Sequence, residues 1–444
     1  MLPVLLLLAC KQAPAPATDT SLLDPEQCQS CHPTHFEQWS GSMHAHAGDD
    51  PVFLAMNARG QRETNGELGD FCVRCHAPLA VELGETTDGL NLPSLDPALR
   101  GVGCAACHAV DGIEALHNNG TVLALDGTFR AGITDPVDNP IHRSEWSGFH
   151  DRDNPRSSEV CGSCHDVVLP DGTAIERTYQ EWSETIFADP EAAFRLSCAA
   201  CHLPGSDGQA ALGGPSRRIH DHTMPGVDVA LVDWPQKATH DAAVQRELDT
   251  MLLGTLCVDP LDTGAAVLVS LDNVAAGHAV PSGAAHDRRL WVELVATRDG
   301  TTVWSSGAVA DDAPVPHPDD APSDLWQFRD VVRGVDGEPV HMFWEVASVE
   351  PMTIAGPATL DPDDPAYDAA HPTNTWLVPE DFDTLTLRTR MRPIGLDVLD
   401  DLVASGDLDP AIREAMPTFD LAGASATWTL PTATQQQGSF FCTP

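Results

Sequence analysis

One short arrangement, Cys-x-x-Cys-His, occurs five times between residues 28 and 202, and it constrains this chain more than any other feature. The copies are Cys28, Cys31, His32; Cys72, Cys75, His76; Cys104, Cys107, His108; Cys161, Cys164, His165; and Cys198, Cys201, His202. With 13 cysteines and 19 histidines in 444 residues, chance predicts about 0.015 such patterns. Two thiols at i and i+3 on one turn can add to the two vinyl groups of one porphyrin. The adjacent histidine is then held beneath the iron. Disulfides or zinc would use the cysteines differently. A zinc ion takes two Cys-x-x-Cys pairs and needs no histidine after each. The expectation is five covalently attached haem c groups, with His32, His76, His108, His165 and His202 as proximal ligands.

One motif per roughly 35 residues leaves little chain to bury. Porphyrin rather than side chain therefore forms most of that core, within a region of short helices and long loops at 25–235. Each iron also needs a sixth ligand. The histidines outside the motifs fall in groups: His44 or His46 after "QWSGSM", His117 in "ALHNNG", His142 or His150 flanking "RSEWSGF", and His220 or His222 in "RRIHDHTMPG". Met43, Met56 and Met224 compete as ligands that would raise the reduction potential. The more numerous and better grouped histidines predict mainly bis-histidine, low-potential haems.

Beyond a connecting helix at 236–258, read from "HDAAVQRELDTMLLGTL", the pattern changes to short alternating apolar runs. "AAVLVSLDN", "RLWVELVAT", "TTVWSS", "VHMFWEVAS", "DTLTLRTRM" and "SATWTLP" read as strands. Asp299 and Gly300 make a hairpin turn, and a helical interlude spans 396–416. Residues 259–444 are therefore expected to form a β-sandwich-like domain with Trp291, Trp304, Trp326 and Trp344 in its core. The fold class is multidomain α + β: a mainly α/loop multihaem domain followed by the sandwich.

The opening "MLPVLLLLAC" and the Pro/Ala/Thr-rich run after it read as a lipoprotein-type signal and linker over 1–24, with Cys10 as lipid anchor. A plain secretion signal is the alternative. Both place the protein outside the cytoplasm, in the periplasm or at the outer membrane or cell surface. Asp+Glu number 66 against 24 Lys+Arg, a net charge of −42. Nucleic acid and anionic membrane surfaces are excluded as partners by repulsion; a redox protein with a basic docking patch is permitted. Lys11 and Lys237 are the only lysines. Genome composition or salt adaptation is the simplest account of this bias. With the motif thiols consumed, Cys257 and Cys442 remain and are expected to form a disulfide in an exported protein.

The stretches "CQSCHPTHFEQWSGSMHAHAGDDPVF", "GDFCVRCHAP", "GVGCAACHAVDG", "CGSCHDVVLPDGTAIERTYQEWS" and "CAACHLP" resemble the multihaem cytochromes c related to the tetrahaem cytochrome of ammonia oxidisers and to hydroxylamine oxidoreductase. The likeness covers about 25–230. It implies electron transfer through closely stacked haems. The family's Trp-x-x-Ser-x-His element falls on Trp39, Ser42 and His44, which favours His44 over His46. Similar Gly-His-x-x-Pro loops occur in such proteins, and "NVAAGHAVPSG" presents His278 as the fifth distal ligand, bridging the two domains. Two enzymatic patterns are missing. No motif ends in lysine, as in pentahaem nitrite reductases. Only Tyr179 and Tyr367 are available for the porphyrin crosslink of hydroxylamine oxidoreductases. An electron-transfer protein is thus expected ahead of a reductase of a small nitrogen or sulfur compound acting at one open haem.

Overall fold

The computed structural model describes residues 20–192, 194–430 and 442, so Cys10 and the leader lie outside the described residues. The architecture mixes helices with sheet that is antiparallel except for one parallel ladder, Thr128–Ala131 with Arg143–Trp146. Through residue 202 the helices are short, and several open on Asp or Ser caps. Asp24 accepts from the Glu26 amide ahead of Pro25–Gln29, and Asp50 from the Val52 amide ahead of Pro51–Glu63. Proline at the first helical position has no amide hydrogen to waste there. In the motifs, the amides of His32, His76 and His165 bond back to the carbonyls of Cys28, Cys72 and Cys161. That i to i−4 closure puts both thiols of a motif on one helical face.

Four two-stranded ladders also lie in this region, at Val110–Ala115 with Gly120–Leu123, Thr128–Ala131 with Arg143–Trp146, Val167–Val168 with Ala174–Glu176, and Gly205–Gln209 with Ser216–His220. The mainly α/loop expectation missed them. Their strands are only two to six residues long, too short for an apolar alternation to stand out.

After the helix Lys237–Met251 come two larger antiparallel sheets and a two-stranded one, Val331–Arg333 with Ser348–Glu350. One of the larger two holds Leu252–Pro260, Ala265–Asn273 and Thr373–Val378. The other is built on Arg289–Arg298 paired to Thr384–Arg392, with Thr301–Ser306, Gln327–Phe328, Phe419–Asp420 and Ala426–Thr429 completing it. Val267, Val269 and Leu271 of the first face Leu290, Val292, Leu294, Leu385 and Leu387 of the second in one core. The two-residue spacing along each strand is the pleat. Asp299 and Gly300 have φ of 50° and 75°, as a tight hairpin requires. Trp291 is fully buried, Trp304 and Trp326 pack on this core, and Trp344 belongs to a second cluster.

Two expectations fail here. The helix ends at Met251, and Leu252–Pro260 is a strand, because Leu252, Leu256 and Val258 alternate into the sandwich core. "VHMFWEVAS" yields a 3-10 turn, Phe343–Glu345, and only the start of a short strand, Ser348–Glu350. Met342 and Trp344 instead pack beside Val52 and Ala55. Cys257 and Cys442 form a disulfide.

The helix Pro51–Glu63 joins the two regions. Val52, Ala55 and Met56 pack on Leu396, Leu399 and Met342. Arg59 reaches Asp401 at 3.1 Å, Arg62 clasps Asp407 with two 2.6 Å bonds, and Trp344 donates to Glu63 at 3.0 Å.

Candidate functional site

The five motifs open onto one cavity of about 1680 Å³. All ten motif cysteines are free thiols, and they and the five adjoining histidines line it. Four of these histidines are oriented alike. Nδ1 of His32 lies 2.6 Å from Ala210 O, His76 3.1 Å from Ala47 O, His108 2.6 Å from Arg130 O and His202 2.8 Å from Pro225 O. A carbonyl only accepts, so Nδ1 carries the hydrogen and Nε2 keeps its lone pair for a metal.

Second imidazoles face four of the five motif histidines. Ring centroids are 6.3 Å apart for His32 and His142, 6.2 Å for His108 and His222, 6.0 Å for His165 and His44, and 6.4 Å for His202 and His278. An iron with a ring nitrogen about 2 Å away on each side sets the centroids about 6.3 Å apart. Nδ1 of His142, His222 and His278 donates to a carbonyl, at Arg143, His220 and Ala279 respectively. Burial holds the imidazole pKa down to about 3 for His44 and His222 and about 4 for His165 and His278. These rings are neutral, the form that binds iron. The residues present therefore fit covalent haem. Gly277 and Gly283, with φ of 74° and 73°, shape the loop that carries His278.

His76 has no second imidazole among the ring pairs of the described residues. Its ring stacks on Phe53, at 4.0 Å and 4°.

Of the other predicted ligands, His46 and His117 lie off the cavity wall, whereas His150, its ring 5.7 Å from that of His108, and His220 line it. His46 is completely buried against Trp234, 4.2 Å between ring centres, and does not line the cavity. Two residues from His44 on the helix Met43–His46, it points to a different face. His117 is exposed and off the cavity wall. His150 lines the cavity, but its Nε2 donates to Cys107 O at 2.8 Å, so it packs with the third motif's own backbone. His220 also lines the cavity, with Nδ1 3.3 Å from Leu203 O and Nε2 left free, but among the ring pairs of the described residues it faces no motif histidine. Met43, Met56 and Met224 all line the wall. The sequence reading overlooked His35, whose ring meets His222 edge-on at 4.8 Å, and His286. His35 follows His32 by three residues on the next helix, a proximity that could have flagged it; no spacing marks His286.

Thiols also interact across motifs, where each shifts the ionisation of the other: Cys28 with Cys104, Cys75 with Cys164, and Cys161 with Cys198.

With this geometry in view, comparison with known proteins is informative. Residues 27–109 match the family described as cytochrome c554 and c-prime, a span holding three of the five motifs. The fold as a whole is similar to that of a penta-heme cytochrome c552 from Thermochromatium tepidum, with a TM-score of 0.64 and 19% identity over 92% of this chain and 98% of that one. These matches support a multihaem cytochrome c. No curated protein matches the sequence. Covalently bound haem c and electron transfer in general follow from this support. Among the described residues, no helix is long and apolar enough to cross a membrane.

Proposed function

We propose that this chain is an exported pentahaem cytochrome c that carries electrons between redox partner proteins. The observation behind this reading is that all five motifs share one cavity, with second imidazoles across from four of them at 6.0–6.4 Å. Each cysteine pair would hold one haem c, which supplies one-electron redox chemistry when bound. His142, His222, His44 and His278 would be the sixth ligands opposite His32, His108, His165 and His202. Backbone carbonyls on Nδ1 fix the ring planes of all of these histidines except His44 and His165, and the apolar wall keeps water away.

The cross-motif interactions between thiols support an order in space: first motif beside third, second beside fourth, fourth beside fifth. Cys107 acts electrostatically on Cys161, which links third to fourth. The fourth motif is thus the junction. Cys31 and Cys201, of the first and fifth, are the exposed motif cysteines, so those two ends are where partners exchange electrons. The acidic surface selects partners with basic docking patches. Export follows from the chemistry of haem c attachment, with Cys10 as the proposed anchor. Kinship with the ammonia-oxidiser cytochrome and hydroxylamine oxidoreductase group belongs to this proposal as well.

The unpaired His76 favours a second reading, reduction of a small nitrogen or sulfur compound at one open haem. A pyridine haemochrome assay and an intact mass test the primary reading. Five haems per chain are expected; three or fewer overturn it.

A further inference from the structure

The wall near His76 carries polar groups that the histidine pairs do not use. Glu176 ends the strand Ala174–Glu176 and lines the cavity; its neighbour Ile175 packs in one cluster with Phe71, the residue before Cys72, and the charge of Glu176 acts on both Cys72 and Cys75. Among the described residues no hydrogen bond reaches its carboxylate. From the sheet region, the turn after Gly283 brings His286, Asp287 and Arg288 to the same cavity. Asp287 is 7% exposed, and its Oδ1 lies 3.7 Å from His286 Nε2 without a hydrogen-bond partner; His286 is 2% exposed and its Nδ1 has none. Arg288 is fully engaged. Its two terminal nitrogens clasp Asp228 at 2.8 and 2.9 Å, and Nε donates to Ser282 O at 2.9 Å. Glu176 interacts electrostatically with Arg288, Asp287 and Asp228, and Asp228 with His76.

Building on the five-haem reading, we propose that Glu176, Asp287 and His286 form a ligand pocket at the iron held by His76. This pocket takes a small neutral molecule with hydrogens to donate, in preference to an anion. Ionised carboxylates only accept hydrogen bonds. A ligand that gives iron a lone pair and turns N–H or O–H groups toward Glu176 and Asp287 satisfies both. An anion such as azide adds a like charge and brings no hydrogen. Arginine is the usual clamp for an anion, and Asp228 already occupies Arg288. The turn 284–288 comes from the sheet region, so the second region of the chain determines what reaches an iron held by the first.

Spin state and ligand titration of the intact ferric protein test this, with imidazole and azide as probes. Burial pushes Glu176 up to about 7, so the titration is run at pH 8.5. One haem in five is expected to be high spin and to become low spin with imidazole. Azide should bind at least about tenfold more tightly to Glu176→Gln or Asp287→Asn than to wild type. Azide affinity unchanged in both variants overturns the proposal. So does a wild type whose five haems are all low spin, with one turning high spin in His286→Ala, because His286 is then a ligand. A chain with three or fewer haems strikes instead at the reading on which the proposal stands.

Discussion

The two regions of this molecule solve the problem of cohesion by different means. In the sheet region, Leu290, Leu294, Leu385 and Leu387 have no exposure and join Val267, Val269 and Trp376 in a single continuous core. The motif region has only small apolar clusters, such as Phe53 with Val73, Ala77, Ala80 and Leu92, or Leu23 with Leu79, Ala105 and Ala106. Between them lies a large cavity ringed with thiols and imidazoles. Apolar side chains fill one region, and the other is built to be filled by covalently held cofactor. Fully burying a leucine is worth about 1.5–3 kcal/mol, and the motif region has too few such residues to offset ordering its backbone unaided.

The largest expected effect follows directly. Protein produced without haem attachment, in the cytoplasm or with every motif cysteine changed to serine, should lose the fold of residues 25–235 and keep that of the sheets. Hydrogen exchange followed by peptide mass analysis reads both regions at once. Protected motif helices in the haem-free protein would refute the contrast.

Next in size is the disulfide, which ties Cys442 to the strand Leu252–Pro260 across a separation of 185 residues. The chain-entropy account gives about 5 kcal/mol for a loop of this length, although measured values are often lower. Cys257→Ser with Cys442→Ser should therefore lower the urea midpoint of the sheet region markedly and leave the haem absorption spectrum unchanged. A spectrum that shifts together with the sheets would show that the two regions unfold as one unit.

What could be read from the sequence follows the same division. The strands Ala265–Asn273, Arg289–Arg298, Thr301–Ser306 and Thr384–Arg392 were visible because their runs are rich in apolar and β-branched residues, with alternate residues facing the core over part of Ala265–Asn273 and Thr384–Arg392. The motif helices were visible because attachment chemistry fixes their spacing. The segment Leu252–Pro260 was not, since its run of apolar residues suits a helix as well as a strand until the partner strand is known. The site was legible by residue type and only partly by position. His142 and His150 are equally plausible in sequence, and a backbone bond from Nε2 to Cys107 O separates them. Glu176 and the turn 284–288 gave no local signal, because their meaning lies in the approach of two distant segments.

His278 is where the second region contributes to the first. Its loop is anchored by Glu181, which accepts from the Ala279 amide at 3.2 Å and the Ser282 hydroxyl at 2.6 Å. Under the proposed ligation, His278→Ala should turn one of five haems from low to high spin, while overall stability changes by about 1–2 kcal/mol. Magnetic circular dichroism distinguishes the spin states. An unchanged spectrum would remove His278 from the ligand set and confine the contact to packing.

The smallest effect concerns the seam at the other end of the helix Pro51–Glu63. His341 lies 3.6 Å from Asp397 and 3.3 Å from Asp401, and Asp401 also pairs with Arg59 of that helix at 3.1 Å. The carboxylate of Asp397 raises the His341 pKa; burial opposes it, and the hydrogen bond to Asp401 adds to the rise. The folded state therefore binds the imidazole proton more tightly than the unfolded chain does. The resulting stabilisation is fully present below the unfolded value of about 6.5 and fades as pH rises through the higher folded-state value. With the histidine partly solvated, it amounts to about 0.5–1 kcal/mol. Thermal melts of wild type and His341→Gln between pH 5.5 and 8.5 should converge at the alkaline end and separate at the acidic end, with wild type the more stable there. If the gap stays constant across that range, His341 contributes packing alone, and the charged seam between the two regions depends on Arg59 and Arg62.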